Sequence, residues 1–163
     1  MIISEIEKQK AIIKSYYLGL FMNVLGPVVI FFIAAYLKDQ SFQTAANVPF
    51  FPNLQIHILF YALLFISITD FVAAYFIRKS LSSRPCPSVI DASEFFNRQM
   101  VTISVIVYSL NAMHTLYGLV LYVLGGAIEI MMLFVALTFV SYQILKPRKD
   151  FVDNLCRKIE AID

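Results

Sequence analysis

The sequence predicts an all-α integral membrane protein: four transmembrane helices forming two antiparallel hairpins of a four-helix bundle, with both termini cytoplasmic. Three observations carry this. Hydrophobic residues make up 60% of the 163-residue chain and charged residues 15%, against about 45–50% and about 25% in a typical soluble domain. Four apolar stretches reach the about 20 residues that a bilayer-crossing helix needs. The basic residues gather on one side of those stretches. This composition excludes a disordered, collagen-like or disulfide-framework chain and argues against an ordinary soluble enzyme. With a formal net charge of only +2, nucleic acid is not an expected partner.

Residues 1–15 place Ile2, Ile3, Ile6, Ile12 and Ile13 among charged residues, the pattern of a short interfacial helix leading into the first span. The apolar run that follows is longer than a signal-peptide core, and no small-residue cleavage site follows it, so an uncleaved first span is expected. Span 16–37 holds no charge. The loop after it contains Pro49-Phe50-Phe51-Pro52 between Asn47 and Asn53. Its prolines break helix, and its phenylalanines suit the headgroup level or a partner.

Span 55–77 carries Asp70 as its one acid, and span 99–124 has no acid or base other than His114. The loop between them contains the rigid turn Arg84-Pro85-Cys86-Pro87, then a short amphipathic segment in which Ser93 is placed to cap the next helix. Gly125-Gly126 then joins span 99–124 to span 127–145, which carries only Glu129. So tight a turn makes those two helices antiparallel neighbours. The tail, 146–163, spaces Phe151, Val152, Leu155 and Ile159 as an amphipathic helix on the cytoplasmic surface, its basic residues facing anionic lipid.

Twelve of the thirteen Lys and Arg residues flank the spans on the side of the termini; Lys38 stands alone on the other. By the positive-inside rule this sets N-in/C-in, and a bacterial-type inner membrane is the favoured location. Cys86 and Cys156 then both lie in a reducing compartment, where a disulfide is not expected.

Each span has a stripe of small or polar residues at alternating spacings of three and four, the means by which helices associate in lipid. The stripes are Gly19, Asn23 and Gly26; Ser67, Asp70 and Ala74; Ser104, Tyr108, Asn111, Thr115 and Gly118; and Ala127, Met131, Phe134, Thr138 and Ser141. At 1.5 Å rise per residue, Asp70 lies roughly 10 Å from the cytoplasmic end of its span, at a depth near Asn23, Tyr108 and Thr138. Asn23, Asp70, Tyr108, Asn111 and Thr138 are therefore a candidate intramembrane polar layer. A charged acid there costs at least ~2.5 kcal/mol, so Asp70 is expected to be neutral or hydrogen-bonded to Asn23 and Tyr108. It would either exchange protons or lock the helices together. In the outer half, His114 and Glu129 are a second candidate pair, either an interhelical hydrogen bond or a proton relay or cation site.

Leu116-Tyr117-Gly118-Leu119-Val120 is similar to the segment after the essential carboxylate in proteolipid (c) subunits of rotary ATPases. The position matching that family's ion-binding acid is Ala112, so the ion-carrying role does not transfer, and Gly118 is read as a close helix contact. No HExxH, paired Cys-x-x-Cys or Gly-rich phosphate loop occurs, and His57 and His114 differ in depth by about 9 Å, unsuited to axial ligation of one haem. No catalytic residue, metal or cofactor is expected. The expected partners are the bilayer and other membrane subunits or a second copy. The sequence thus predicts a non-catalytic accessory or interaction subunit, the alternative being a small proton- or ion-handling protein built on Asp70.

Overall fold

The computed structural model describes residues 3–41, 55–84 and 91–160, and every regular element among them is helical. Helix α1 (Glu5–Leu20) passes through one π-helical turn (Phe21–Leu25) into α2 (Gly26–Ser41). Then follow α3 (Ile56–Leu81), α4 (Ala92–Val123), α5 (Ile128–Leu145) and α6 (Lys149–Glu160). Four rods are long and apolar enough to cross a membrane: the continuous α1–α2 rod, α3, α4 and α5, with mean hydropathies of 2.3, 2.0, 1.4 and 1.9. The chain is thus a small multi-pass membrane protein by the length and composition of its helices. The Pro-Phe-Phe-Pro motif at 49–52 and the turn at 85–87, with Cys86, lie outside the described residues.

Helix α4 is the hub: α1, the π turn, α2, α3, α5 and α6 all pack on it. Side-chain partners give the register. Glu7, Ser15 and Asn23 of the first rod meet Ser93, Ser104 and Asn111 of α4, so these two rods run parallel. Gln99 and His114 reach the carbonyls of Leu81 and Ser67, so α3 is antiparallel to α4. Asn111 meets Thr138, and Gly118 lies against Met131 and Phe134, so α5 is antiparallel as well.

The start of α1 is closed by a capping box. Ser4 Oγ accepts from the Glu7 amide at 3.3 Å, and the Glu7 carboxylate accepts from the Ser4 amide at 3.1 Å. Each side chain satisfies an amide that the first helical turn leaves without an intrahelical partner. Ser93, read from sequence as a cap for the third span, instead donates to Glu7 Oε1 at 2.6 Å; Asp91 occupies the cap position.

The π turn has a cause in the sequence that hydropathy does not register. Pro27 has no N–H, and its ring would collide with the carbonyl of residue i−4, which is Asn23. The backbone widens instead, and the Gly26 amide bonds to the Phe21 carbonyl, five residues back. The Gly-Gly turn is equally local. Gly125 sits at φ 102°, a left-handed conformation that a Cβ would strain. The amides of Gly126 and Gly125 close onto the carbonyls of Leu121 at 2.8 Å and Tyr122 at 3.1 Å, which satisfies the end of α4.

Helix α6 differs from the surface-lying helix that its amphipathic spacing suggests. Val152, Leu155, Cys156 and Ile159 are buried with Ile3, Ala11, Phe96 and Met100, so its apolar face seals the ends of α1 and α4. Its basic residues Arg157 and Lys158 remain exposed.

At Gly118 a Cβ would meet the Phe134 Cβ at 2.8 Å and the Met131 carbonyl oxygen at 3.3 Å, atoms that cannot swing aside. Gly118→Val is therefore expected to cost about 1–3 kcal/mol through overpacking. Gly26→Ala, whose Cβ would meet only the Phe21 carbonyl at 3.4 Å, should change stability far less. Thermal unfolding of both variants in the same detergent checks the contrast; equal melting temperatures would contradict the close α4–α5 contact.

Candidate functional site

Helix α4 carries a ladder of polar side chains whose rungs reach the neighbouring helices, because hydrocarbon offers these groups no alternative partner. The rung nearest the chain termini joins three hydroxyls. Ser104 donates to the Met100 carbonyl at 2.7 Å, so its oxygen is left to accept from Ser15 at 2.5 Å; Tyr108 then donates to Ser15 at 3.3 Å. The Tyr108 ring packs edge-on against Tyr142, 5.6 Å between centroids.

The middle rung is an amide node. Asn111 Nδ2 donates both of its protons, one to Asn23 Oδ1 at 2.9 Å and one to the Thr138 carbonyl at 3.0 Å. Asn23 Nδ2 returns to the Gly19 carbonyl at 3.3 Å, which fixes the orientation of both amides. Thr138 donates to the Phe134 carbonyl at 3.1 Å and accepts from Thr115 at 2.9 Å. Asn23, Asn111, Thr115 and Thr138 are all buried, and one amide thereby ties three rods together.

The face of α4 toward α3 carries different chemistry. His114 is buried, with Nδ1 2.6 Å from the Asn111 carbonyl oxygen and Nε2 2.9 Å from the Ser67 carbonyl oxygen. Ser67 Oγ and Asn111 Oδ1 are buried without a hydrogen-bond partner. One turn further along each helix, Tyr117 donates to Asp70 Oδ2 at 2.7 Å, and both residues are half-buried. Nearer the chain termini, Arg78 donates to the Leu145 carbonyl at 2.9 Å and stacks over the Phe151 ring at 4.0 Å, which ties α3 to the α5–α6 junction.

The structure thus brings Asn23, Asn111 and Thr138 together. It places Tyr108 one rung away, with Ser15 and Ser104, and Asp70 on another face of α4, bonded to Tyr117 rather than to Asn23 or Tyr108. His114 and Glu129 do not meet: His114 turns to Ser67, and Glu129 is exposed in the first turn of α5. The physical reason is angular. Asp70 and Asn23 share a depth but approach α4 from different sides. Tyr117 was not singled out, although a side chain in a helix tilts toward the helix N-terminus, and its long ring therefore reaches back to Asp70. Ser15 was missed because Lys14 beside it marks the end of the apolar run.

Among the described residues no group of three or more His, Cys, Asp or Glu side chains could hold a metal ion. The cavity between Arg78, Ser104, Tyr108, Leu145 and Phe151 has a volume of about 10 Å³, room for one water. No family model, curated protein or solved structure matches the chain.

If Asn111 is the node, Asn111→Leu should destabilise the protein by about 1–2 kcal/mol, the upper range for interhelical hydrogen bonds in membranes. Asn23→Leu should add little on top of it. A double-mutant cycle on these two positions, read by reversible unfolding in mixed micelles, is expected to show coupling; strict additivity would remove the node.

Proposed function

We propose that the chain is a non-catalytic accessory or interaction subunit of a membrane assembly, a four-helix bundle with both termini cytoplasmic in a bacterial-type inner membrane. The distribution of charge supports this orientation: twelve of thirteen basic residues lie on the side of the termini. The observation that carries the subunit reading is the outward face of α3. Only 6% of its apolar stretch is buried against the rest of the chain, compared with 44% for α4. Tyr61, Phe65, Tyr75 and Phe76 on α3 are more than half exposed. Rigid aromatic surfaces of this kind offer large contact areas at small entropic cost. The buried polar side chains are spent on holding helices together, which also favours a scaffold over a catalyst.

The alternative is a small proton- or ion-handling protein using Asp70. Its support is that Asp70 sits half-buried within a span, bonded to the ionisable phenol of Tyr117 at 2.7 Å.

Extraction from native membranes at natural abundance in a mild detergent tests the subunit reading. The chain is expected in a complex of fixed stoichiometry. Paired Tyr61→Leu and Phe65→Leu changes preserve hydrophobicity but alter shape, and should reduce that complex severalfold without altering the fold in detergent. A lone monomer, or a complex indifferent to both changes, would contradict the reading. Proton flux into liposomes that disappears in Asp70→Asn would favour the alternative.

A further inference from the structure

Between the end of α3 and the first turns of α4 the surface opens into a groove of about 220 Å³. Two of its lining side chains are arginines, Arg84 just past α3 and Arg98 on α4, and both are exposed. Apolar side chains make up much of the rest: the half-buried Phe95 and the buried Leu81 and Ile103. Gln99, which also lines the groove, donates to the Leu81 carbonyl and so pins the two helices together there.

The depth of the groove is informative. The apolar run of α3 ends at Ile77, before Arg78 and Lys79, and that of α4 begins just after Arg98. The charged end of the groove therefore falls where the helices leave hydrocarbon, at the level of lipid phosphates. Thr102 and Ile103 carry its wall about one turn into the span.

The charge around the groove is unbalanced. Glu94 holds Arg98 at 2.6 Å, but a guanidinium has five N–H donors, more than one carboxylate can use. Arg84 adds a second cation. Lys158 of α6 donates to Ser83, the neighbour of Arg84, at 3.3 Å and brings a third to the same end. Of the acids close in sequence, Glu94 is paired with Arg98 and Asp91 holds the cap position of α4; neither lines the groove.

We propose that this groove binds one anionic phospholipid, with its phosphate on Arg84 and Arg98 and an acyl chain along Phe95, Thr102 and Ile103. The guanidinium fork matches phosphate oxygens in pairs, and basic pockets between transmembrane helices suit anionic headgroups. A zwitterionic headgroup brings its own cation and leaves the excess charge unmatched. A free phosphate leaves the apolar wall uncovered. The site requires the bilayer that the four spans indicate and is independent of the subunit reading.

Native mass spectrometry of the purified chain, released from mixed micelles holding equal phosphatidylglycerol and phosphatidylcholine, reads the occupant. One phosphatidylglycerol is expected to stay bound, preferred about tenfold over phosphatidylcholine, the order expected of two basic residues beside one phosphate. Arg84→Gln with Arg98→Gln should bring the two lipids to about parity. Lys10→Gln with Lys14→Gln removes the same charge from α1, at exposed positions that do not line the groove, and should leave the preference intact. Thr102→Phe fills the groove without altering charge and should cut lipid retention severalfold. All five positions are exposed, and an unchanged melting temperature in detergent verifies that each variant keeps the fold. Equal losses in the arginine and lysine pairs would overturn the site in favour of diffuse attraction. Displacement of the lipid by inorganic phosphate at equal concentration, or unchanged retention in Thr102→Phe, would overturn the lipid as occupant.

Discussion

A polar group within hydrocarbon has no water to fall back on, and the position of α4 follows from that constraint. In a soluble protein the most apolar helix is the most buried. Here α4 has the lowest mean hydropathy of the four rods, 1.4, and the largest buried share, 44%, whereas α3 reaches 2.0 with 6% buried. Polarity draws α4 inward because Ser104, Tyr108, Asn111, His114, Thr115 and Tyr117 each find a partner on another helix. Small residues let those helices come close enough for the bonds to form, as Gly118 does against Met131 and Phe134. The stabilisation per bond is modest, about 0.6 kcal/mol on average in membrane proteins, so specificity rests on the ladder as a whole.

Much of this architecture was legible from one dimension. Hydropathy located the four rods, and the stripes at alternating three and four spacing located the contacting faces: Ser104, Tyr108, Asn111, Thr115 and Gly118 are all buried. Gly125-Gly126 announced the α4–α5 turn. Depth counting was less informative than face counting. It set Asn23 level with Tyr108, whereas Asn23 meets Asn111 one rung along, and it does not separate residues that share a depth and differ in angle, as Asp70 and Asn23 do. The reach of Tyr117, the carbonyl partners of His114 and Arg78, and the π turn imposed by Pro27 all depend on three-dimensional direction. Amphipathic spacing in α6 announced an apolar face without saying whether lipid or protein would cover it; Phe96 and Met100 do.

The two faces of α4 divide the molecule's work. Toward α1, the π turn and α5 the ladder consists of hydroxyls and amides, an arrangement suited to holding shape. Toward α3 the contacts come from Gln99, His114 and Tyr117, which meet Leu81, Ser67 and Asp70. Helix α3 is also the rod whose apolar stretch is least buried, 6%.

Accessibility scanning along α4 in bilayers, with single spin labels and with oxygen and a water-soluble nickel chelate as relaxing agents, tests the account most directly. Labels at Val105, Met113, Leu116 and Val120, all exposed apolar positions, should meet oxygen and not nickel. Labels at Ser104, Asn111 and Thr115 should meet neither. Free access of oxygen or nickel to the second set would mean that the polar stripe faces lipid or water, and the ladder would not be what holds these helices together.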